Sequence, residues 1–336
     1  MPPDSRCVVG ALYGSEAMLR DMLENSDFDK DKFLPKPALA AADQILQWGD
    51  QSRLRILLDS KLGHQLQNLD FFRLTINGWS DPGTNCNTWD QVFGLVDHVL
   101  DILVQEQWGN ELLCMAASVG CMPMVRRLMI RAQHKAELRS ELLRGLRRER
   151  HRPFDKSRHQ SIGEAVLGNH VDVVEYLLKE NGIEAHLQFR NSRGENVLHL
   201  AARLCNPAMF RLLVPRLPEG IHQTDDQGDT ALRRIILHSP ASEDRYESAR
   251  ILLQQGGANW DSHSCVEQQN PLRIAVQLGD LKMCHLLVCI GKGNPLSAMT
   301  RDNDGQMVLK DKTPENEDNF REILQFLCAN IASTSA

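Results

Sequence analysis

Aromatic residues are scarce in this chain, at five Trp, three Tyr and ten Phe among 336 residues. Burial therefore falls to aliphatic side chains and alanine, which suits stacked helices. At 42% apolar the chain is globular in composition, yet no apolar run approaches the ~18 residues a membrane span needs. The nine cysteines are an odd number and contain no C-x-x-C pair. They read as reduced thiols packed as small hydrophobes, Cys114, Cys284 and Cys328 among them. That points to a reducing compartment, the cytoplasm or the nucleus. The opening MPPDSRCVVGALYG lacks the basic and apolar regions of a secretory signal. Also missing are G-x-S-x-G, H-E-x-x-H, a phosphate loop and a dinucleotide fingerprint. Gly256-Gly257 and the GKGNP around Gly291 follow apolar helix ends, so helix termination accounts for them. No catalytic residue, metal ligand or cofactor is expected.

What the chain does have is repetition. GNELLCMAAS from Gly109, GENVLHLAAR from Gly194, GDTALRRIIL from Gly228 and QNPLRIAVQL from Gln269 are variants of one phrase. Each is followed by a short turn and then by apolar residues five and eight positions on. Gly14 precedes Leu19 and Met22, Gly49 precedes Leu54 and Leu57, and Gly120 precedes Val125 and Leu128. The same ruler joins Asn169 to Val174 and Leu177, Cys205 to Phe210 and Leu213, and Gly279 to Cys284 and Leu287. This is the signature of two short antiparallel helices. Gly or Asn ends the first in the left-handed conformation, and the second carries one apolar stripe. Neither helix buries its stripe alone, so units must stack.

The turns at Gly14 and Gly49 lie 35 residues apart, and those at Asn169 and Cys205 lie 36 apart. DDQGDTAL, NSRGENVLHLAAR and QQGGANW resemble the ankyrin repeat, whose period is about 33. Gly228, Thr230 and Leu232 match its turn, Leu198, His199, Ala201 and Ala202 its first helix, and Gly257-Ala258-Asn259 its tail. The family's usual proline is replaced by Leu112, Val197 and Ala231. The resemblance implies an all-α ankyrin-repeat solenoid of about eight helix-turn-helix units with irregular insertions. It would form a single array over 1–336, with degenerate repeats at 8–106 and clearer ones at 107–330. FFRLTING and VFGLVDHVLDIL read as the two helices of one such unit. His199 falls on the family's structural histidine, which bonds to a neighbouring turn.

Three stretches interrupt the period: 77–90, 132–158, and SPASEDRYES from Ser239. The second is basic, since 126–158 holds twelve Lys or Arg against four acids and nets +8, while the rest of the chain nets −14. Leu138, Leu142 and Leu146 share one helical stripe within it. The segment reads either as a solvated helix or as a site for an acidic partner. No aromatic stacking platform accompanies the charge, which argues against nucleic acid.

In this family the resemblance places the partner in a concave groove made by turn tips and first helices. The positions carried over are Tyr13, Trp48, Trp108, His159, Arg193, Glu195, Arg203, Asp226, Asp229 and His238. The N-terminal half is aromatic there, with Trp79 and Trp89 in the nearby insertion, and exposed Trp and Tyr are frequent interface anchors. The same aromatics read equally as core. The sequence therefore implies a protein–protein interaction module or adaptor without chemistry of its own. The alternative is a cofactor-independent cyclase or isomerase holding a small apolar ligand in an aromatic pocket of the N-terminal half.

Overall fold

The computed structural model describes residues 14–25, 42, 45, 50–60, 69–78, 93–94, 97–105, 108–144, 160–255, 258, 270–298 and 317–334. Among these there is no strand. Contacts divide the chain into two compact units, Met1–His151 and Arg152–Ala336. The border falls inside the basic insertion at 132–158.

In the first unit the described helices are α1 (Glu16–Asn25), α2 (Gln51–Asp59), α3 (Leu69–Gly78), α4 (Asp97–Gln105), α5 (Gly109–Ser118), α6 (Met122–Arg131) and α7 (Ala136–Leu143). The helices α1 and α2 follow the turns at Gly14 and Gly49, and they pack on each other. The pair α3 and α4 comes from FFRLTING and VFGLVDHVLDIL, as expected. Both pack against α5, which in turn packs against α6.

The second unit has α8 (Ser161–Leu167), α9 (Val171–Leu177), α10 (Ile183–Leu187), α11 (Val197–Ala202), α12 (Pro207–Leu213), α13 (Ala231–His238), α14 (Glu243–Gln254), α15 (Pro271–Gln277), α16 (Leu281–His285) and α17 (Glu317–Thr334). First helices form one row, α8 against α11, α11 against α13, and α13 against α15. Second helices form another, α9 against α12 and α12 against α14, which meets the π-helical turn Leu286–Ile290 that continues α16. Layering of this kind buries one stripe per helix against the next repeat.

The ruler residues mark the core. Leu19, Leu54, Leu57, Val125, Leu128, Val174, Leu177, Phe210, Leu213, Cys284 and Leu287 are all buried. Each such aliphatic side chain contributes about 1.5–3 kcal/mol relative to exposure. Four of the turns that set the ruler are left-handed: φ is 72° at Gly120, 61° at Asn169, 50° at Cys205 and 69° at Gly279. Of the cysteines, Cys114, Cys121, Cys205 and Cys284 are buried. Cys328 is exposed, because on α17 the buried positions are Ile323 and Leu327 and Cys328 lies one step round.

Two of the three interruptions depart from the simple picture of a loop. Ser239 begins only a brief bend, because Ser242 caps α14 and Glu243–Gln254 is helical, with Arg245 and Ser248 buried. The start of the basic insertion folds back: Leu142 and Leu143 of α7 are buried, and α7 packs on α5. Gly109 allows this approach, since a Cβ there would lie 2.5 Å from Leu142 Cδ2. The insertion 77–90 lies almost wholly outside the described residues, with Trp79 and Trp89.

Candidate partner-binding face

The informative face of the second unit is built from two successive turns with the same local chemistry. Asn191 and Asp225 each stand three residues before a glycine. Asn191 Oδ1 accepts hydrogen bonds from the backbone N–H of Arg193 and Glu195, and Asp225 Oδ1 accepts them from Gln227 and Asp229. A short polar side chain thus holds its own turn closed. The Asp226 N–H then donates to Arg193 O at 3.0 Å, joining one turn tip to the next. Gly194, at φ 70°, leaves room for this, since a Cβ would lie 2.5 Å from Asp226 Oδ1.

Behind the tips lies a charge network. Arg234 Nη1 donates to Glu195 Oε1 at 2.6 Å, while its Nη2 and Nε donate to Asp225 Oδ2 at 2.5 and 2.8 Å. Arg203 Nη2 also reaches Glu195 Oε1 at 2.7 Å, and Asn191 Nδ2 donates to Oε2 at 2.6 Å. Asp229 Oδ1 accepts from Arg233 Nε. Arg234 therefore ties a carboxylate of its own repeat to one from the repeat before.

Burial alone would raise the Glu195 pKa. The hydrogen bonds from Asn191 and Arg203 and the charge of Arg234 outweigh it, and bring the group down to about 2 from 4.5. A depressed carboxylate contributes stability that is present above its ordinary pKa and lost as pH falls towards the folded value. Denaturant titrations from pH 7 to pH 2.5 should show wild type losing more stability below about pH 4.5 than Glu195→Gln, which has no charge to protonate. Parallel curves for the two proteins would refute this linkage.

His199 fills the structural role that the resemblance assigns to it. Its Nε2 donates to Asp229 O at 2.9 Å and its Nδ1 accepts the Asn196 N–H at 3.2 Å, closing a capping box. Burial pushes its pKa down, which suits the neutral tautomer these two bonds require.

The sequence-derived residues divide into four groups. Arg193, Arg203, Asp226 and His238 are exposed on turn tips or at first-helix ends. Glu195 and Asp229 are buried, at 1% and 7% exposure, and their side chains are engaged within the array rather than displayed. Trp108, in the first unit, is 41% exposed just ahead of α5 and makes no side-chain capping bond. Tyr13, Trp48 and His159 lie outside the described residues. Asn191 and Asp225 carried a readable signal in their shared spacing to glycine, whereas nothing in the sequence distinguished Arg234 from any helix-surface arginine.

In the first unit, part of the basic segment is occupied internally. Arg127 and Arg131 pair with Asp97, and Arg131 also pairs with Asp101. Arg139 donates to the carbonyls of Ala132 and Gln133. Arg126, Lys135 and Arg144 are exposed, and 145–158 lies outside the described residues.

One recess of the second unit, about 470 Å³, includes Tyr246, Leu278, Asp280 and Lys282 in its walls. Among the described residues no group of His, Cys, Asp or Glu is placed to hold a metal. No described helix is long and apolar enough to cross a membrane.

Against known families, the model described as ankyrin repeats (three copies) matches residues 162–263 and 198–298. No curated protein matches the chain. Among solved structures, the ankyrin repeat domain of Bcl-3, described as a unique member of the IkappaB protein family, is similar at 21% identity with a TM-score of 0.47. That similarity covers 65% of this chain and 85% of the other.

Proposed function

We infer the function from the premise that this is an ankyrin-repeat protein, with residues 162–298 matching the family. Ankyrin repeats generally mediate protein–protein interaction. Our reading is that this chain is an interaction module. A partner protein segment lies along the turn tips and first helices of the second unit, and the chain contributes rigid positioning rather than chemistry.

The observation that supports this most is the division of labour on that face. Glu195, Asp225 and Asp229 are consumed in fixing the turns. Arg193, Asp226 and His238 are exposed on the rigid frame so made. A mixed-sign polar face of this kind selects partners by charge complementarity and makes association salt-dependent. Trp108 would act as an aromatic anchor on the first unit.

The test is quantitative affinity purification from native cells with three baits: wild type, the double variant Arg193→Glu/His238→Glu, and Arg250→Glu on second helix α14. Proteins retained by wild type and by Arg250→Glu should fall at least tenfold with the double variant. The same proteins retained equally by all three baits would remove the turn-tip face from consideration. Trp108→Ala should likewise weaken capture with the helical circular dichroism unchanged; unfolding would make Trp108 a structural residue.

A further inference from the structure

Comparing the repeats of the second unit position by position exposes one that breaks the pattern. First helices α11, α13 and α15 are preceded by Asn196, Thr230 and Asn270, and each of these side chains accepts a backbone N–H of its own helix. The residue before α8 is Gln160, one methylene longer than asparagine, and it makes no capping bond. Three positions further on, the same helices carry His199, Arg233 and Arg273, whereas α8 carries Gly163. The α8 repeat has thus lost both the short capping side chain and the long side chain that accompanies it.

A recess stands at this place. It has a volume of about 10 Å³ beside Gly163, and its walls combine polar Gln160, Asn191 and Glu195 with apolar Phe189, Val197 and Leu200. Gln160 is only 7% exposed, and its Oε1 has no hydrogen-bond partner among protein groups. The neighbouring repeat indicates what the site needs. There His199 bridges the Asn196 N–H and Asp229 O, and Asp229 O accepts a second hydrogen bond from the Asp225 N–H. The equivalent oxygen, Glu195 O, accepts from the Asn191 N–H at 2.9 Å. A carbonyl has two lone pairs, so one acceptor site matches the one that takes the histidine N–H next door.

We propose that this recess binds one ordered water molecule, which replaces the missing imidazole by donating to the Gln160 side-chain oxygen and to Glu195 O. The volume holds about one water, and although most of the lining is apolar, Gln160 Oε1 and Glu195 O supply the two polar partners that a buried water needs. With the Gln160 amide turned over, the water accepts from its NH2 instead, and the bridge survives. The site is a property of the fold and holds whichever partner the turn-tip face binds.

The decisive experiment is a crystal structure of the wild-type chain at a resolution that orders buried waters, alongside Gly163→Ser. Wild type should show a water within hydrogen-bonding distance of both the Gln160 side chain and Glu195 O. In Gly163→Ser the introduced hydroxyl should take its place. In solution, oxygen-17 relaxation dispersion should count one fewer long-lived water in Gln160→Leu than in wild type. A dry wild-type recess, with the Gln160 amide turned onto a protein donor, would overturn the proposal. An unchanged count of long-lived waters in a folded Gln160→Leu would do the same.

Discussion

Replacing Arg234 by methionine should destabilise the second unit by about 3–5 kcal/mol, the range for breaking a buried ion pair from one side. Arg234 pairs with both Glu195 and Asp225. The two carboxylates are not left equally exposed to the loss. Glu195 keeps Arg203 and Asn191. Asp225 keeps the two turn N–H donors on Oδ1, but Oδ2 loses the partner of its ion pair while the side chain stays fully buried. Most of the penalty should therefore sit on Asp225. A second substitution checks this. In Arg234→Met, adding Asp225→Asn removes the stranded charge while keeping the oxygen that closes the turn. The double variant should regain about 1–2 kcal/mol over Arg234→Met alone, and the coupling between such neighbours is what a double-mutant cycle measures. Urea unfolding gives the free energies. Hydrogen exchange at the amides of 191–195 and 225–229 locates the loss, since a repeat array need not unfold as one unit. Unchanged exchange at both turns would mean that the two carboxylates do not depend on Arg234.

What the sequence made legible was whatever depends on backbone geometry and periodic burial. The five-and-eight ruler worked because each turn needs a left-handed residue, and apolar side chains at those offsets share one helix face. It held even at Cys205, where the turn conformation is adopted by a residue that does not favour it. The role of His199 came from the resemblance, and its two hydrogen bonds agree with it. The candidate face was legible only as a set of positions. Glu195 and Asp229 were placed on it because turn residues point towards the groove. Whether such a residue is displayed or consumed depends on arginines four to thirty-nine residues away in sequence, and no local pattern carries that. The stretch at Ser239 misled for a related reason. Its polar composition reads as a loop, but Ser242 starts a helix and Arg245 turns inward to find partners from two other elements. Leu142 shows the converse, since its burial required only a helical stripe and a glycine opposite it.

That inward arginine supports the second large effect. Arg245 is 3% exposed. Its Nε donates to Ile235 O at 3.1 Å and its Nη2 to Ile236 O at 2.9 Å, near the end of α13, where helix carbonyls lack intrahelical partners. Its Nη1 donates to Asp280 Oδ2 at 2.5 Å, just ahead of α16. One guanidinium thus caps the first helix of its own repeat and neutralises the carboxylate that caps a helix of the next. Methionine keeps the stem's packing but strands two carbonyls and one nearly buried carboxylate, which retains only the Tyr246 hydroxyl and the Met283 N–H. Arg245→Met should therefore cost about 3–5 kcal/mol, with faster hydrogen exchange through both α13 and α16. The exposed pairs nearby set the contrast. Lys282 with Glu243 and Arg211 with Glu247 lie on the same second-helix row. Solvent screening limits such pairs to about 0–1 kcal/mol, so Lys282→Met and Arg211→Met should leave the unfolding midpoint almost where it was. If Arg245→Met proved as mild as those two, the arginine would be filling space between repeats rather than joining them.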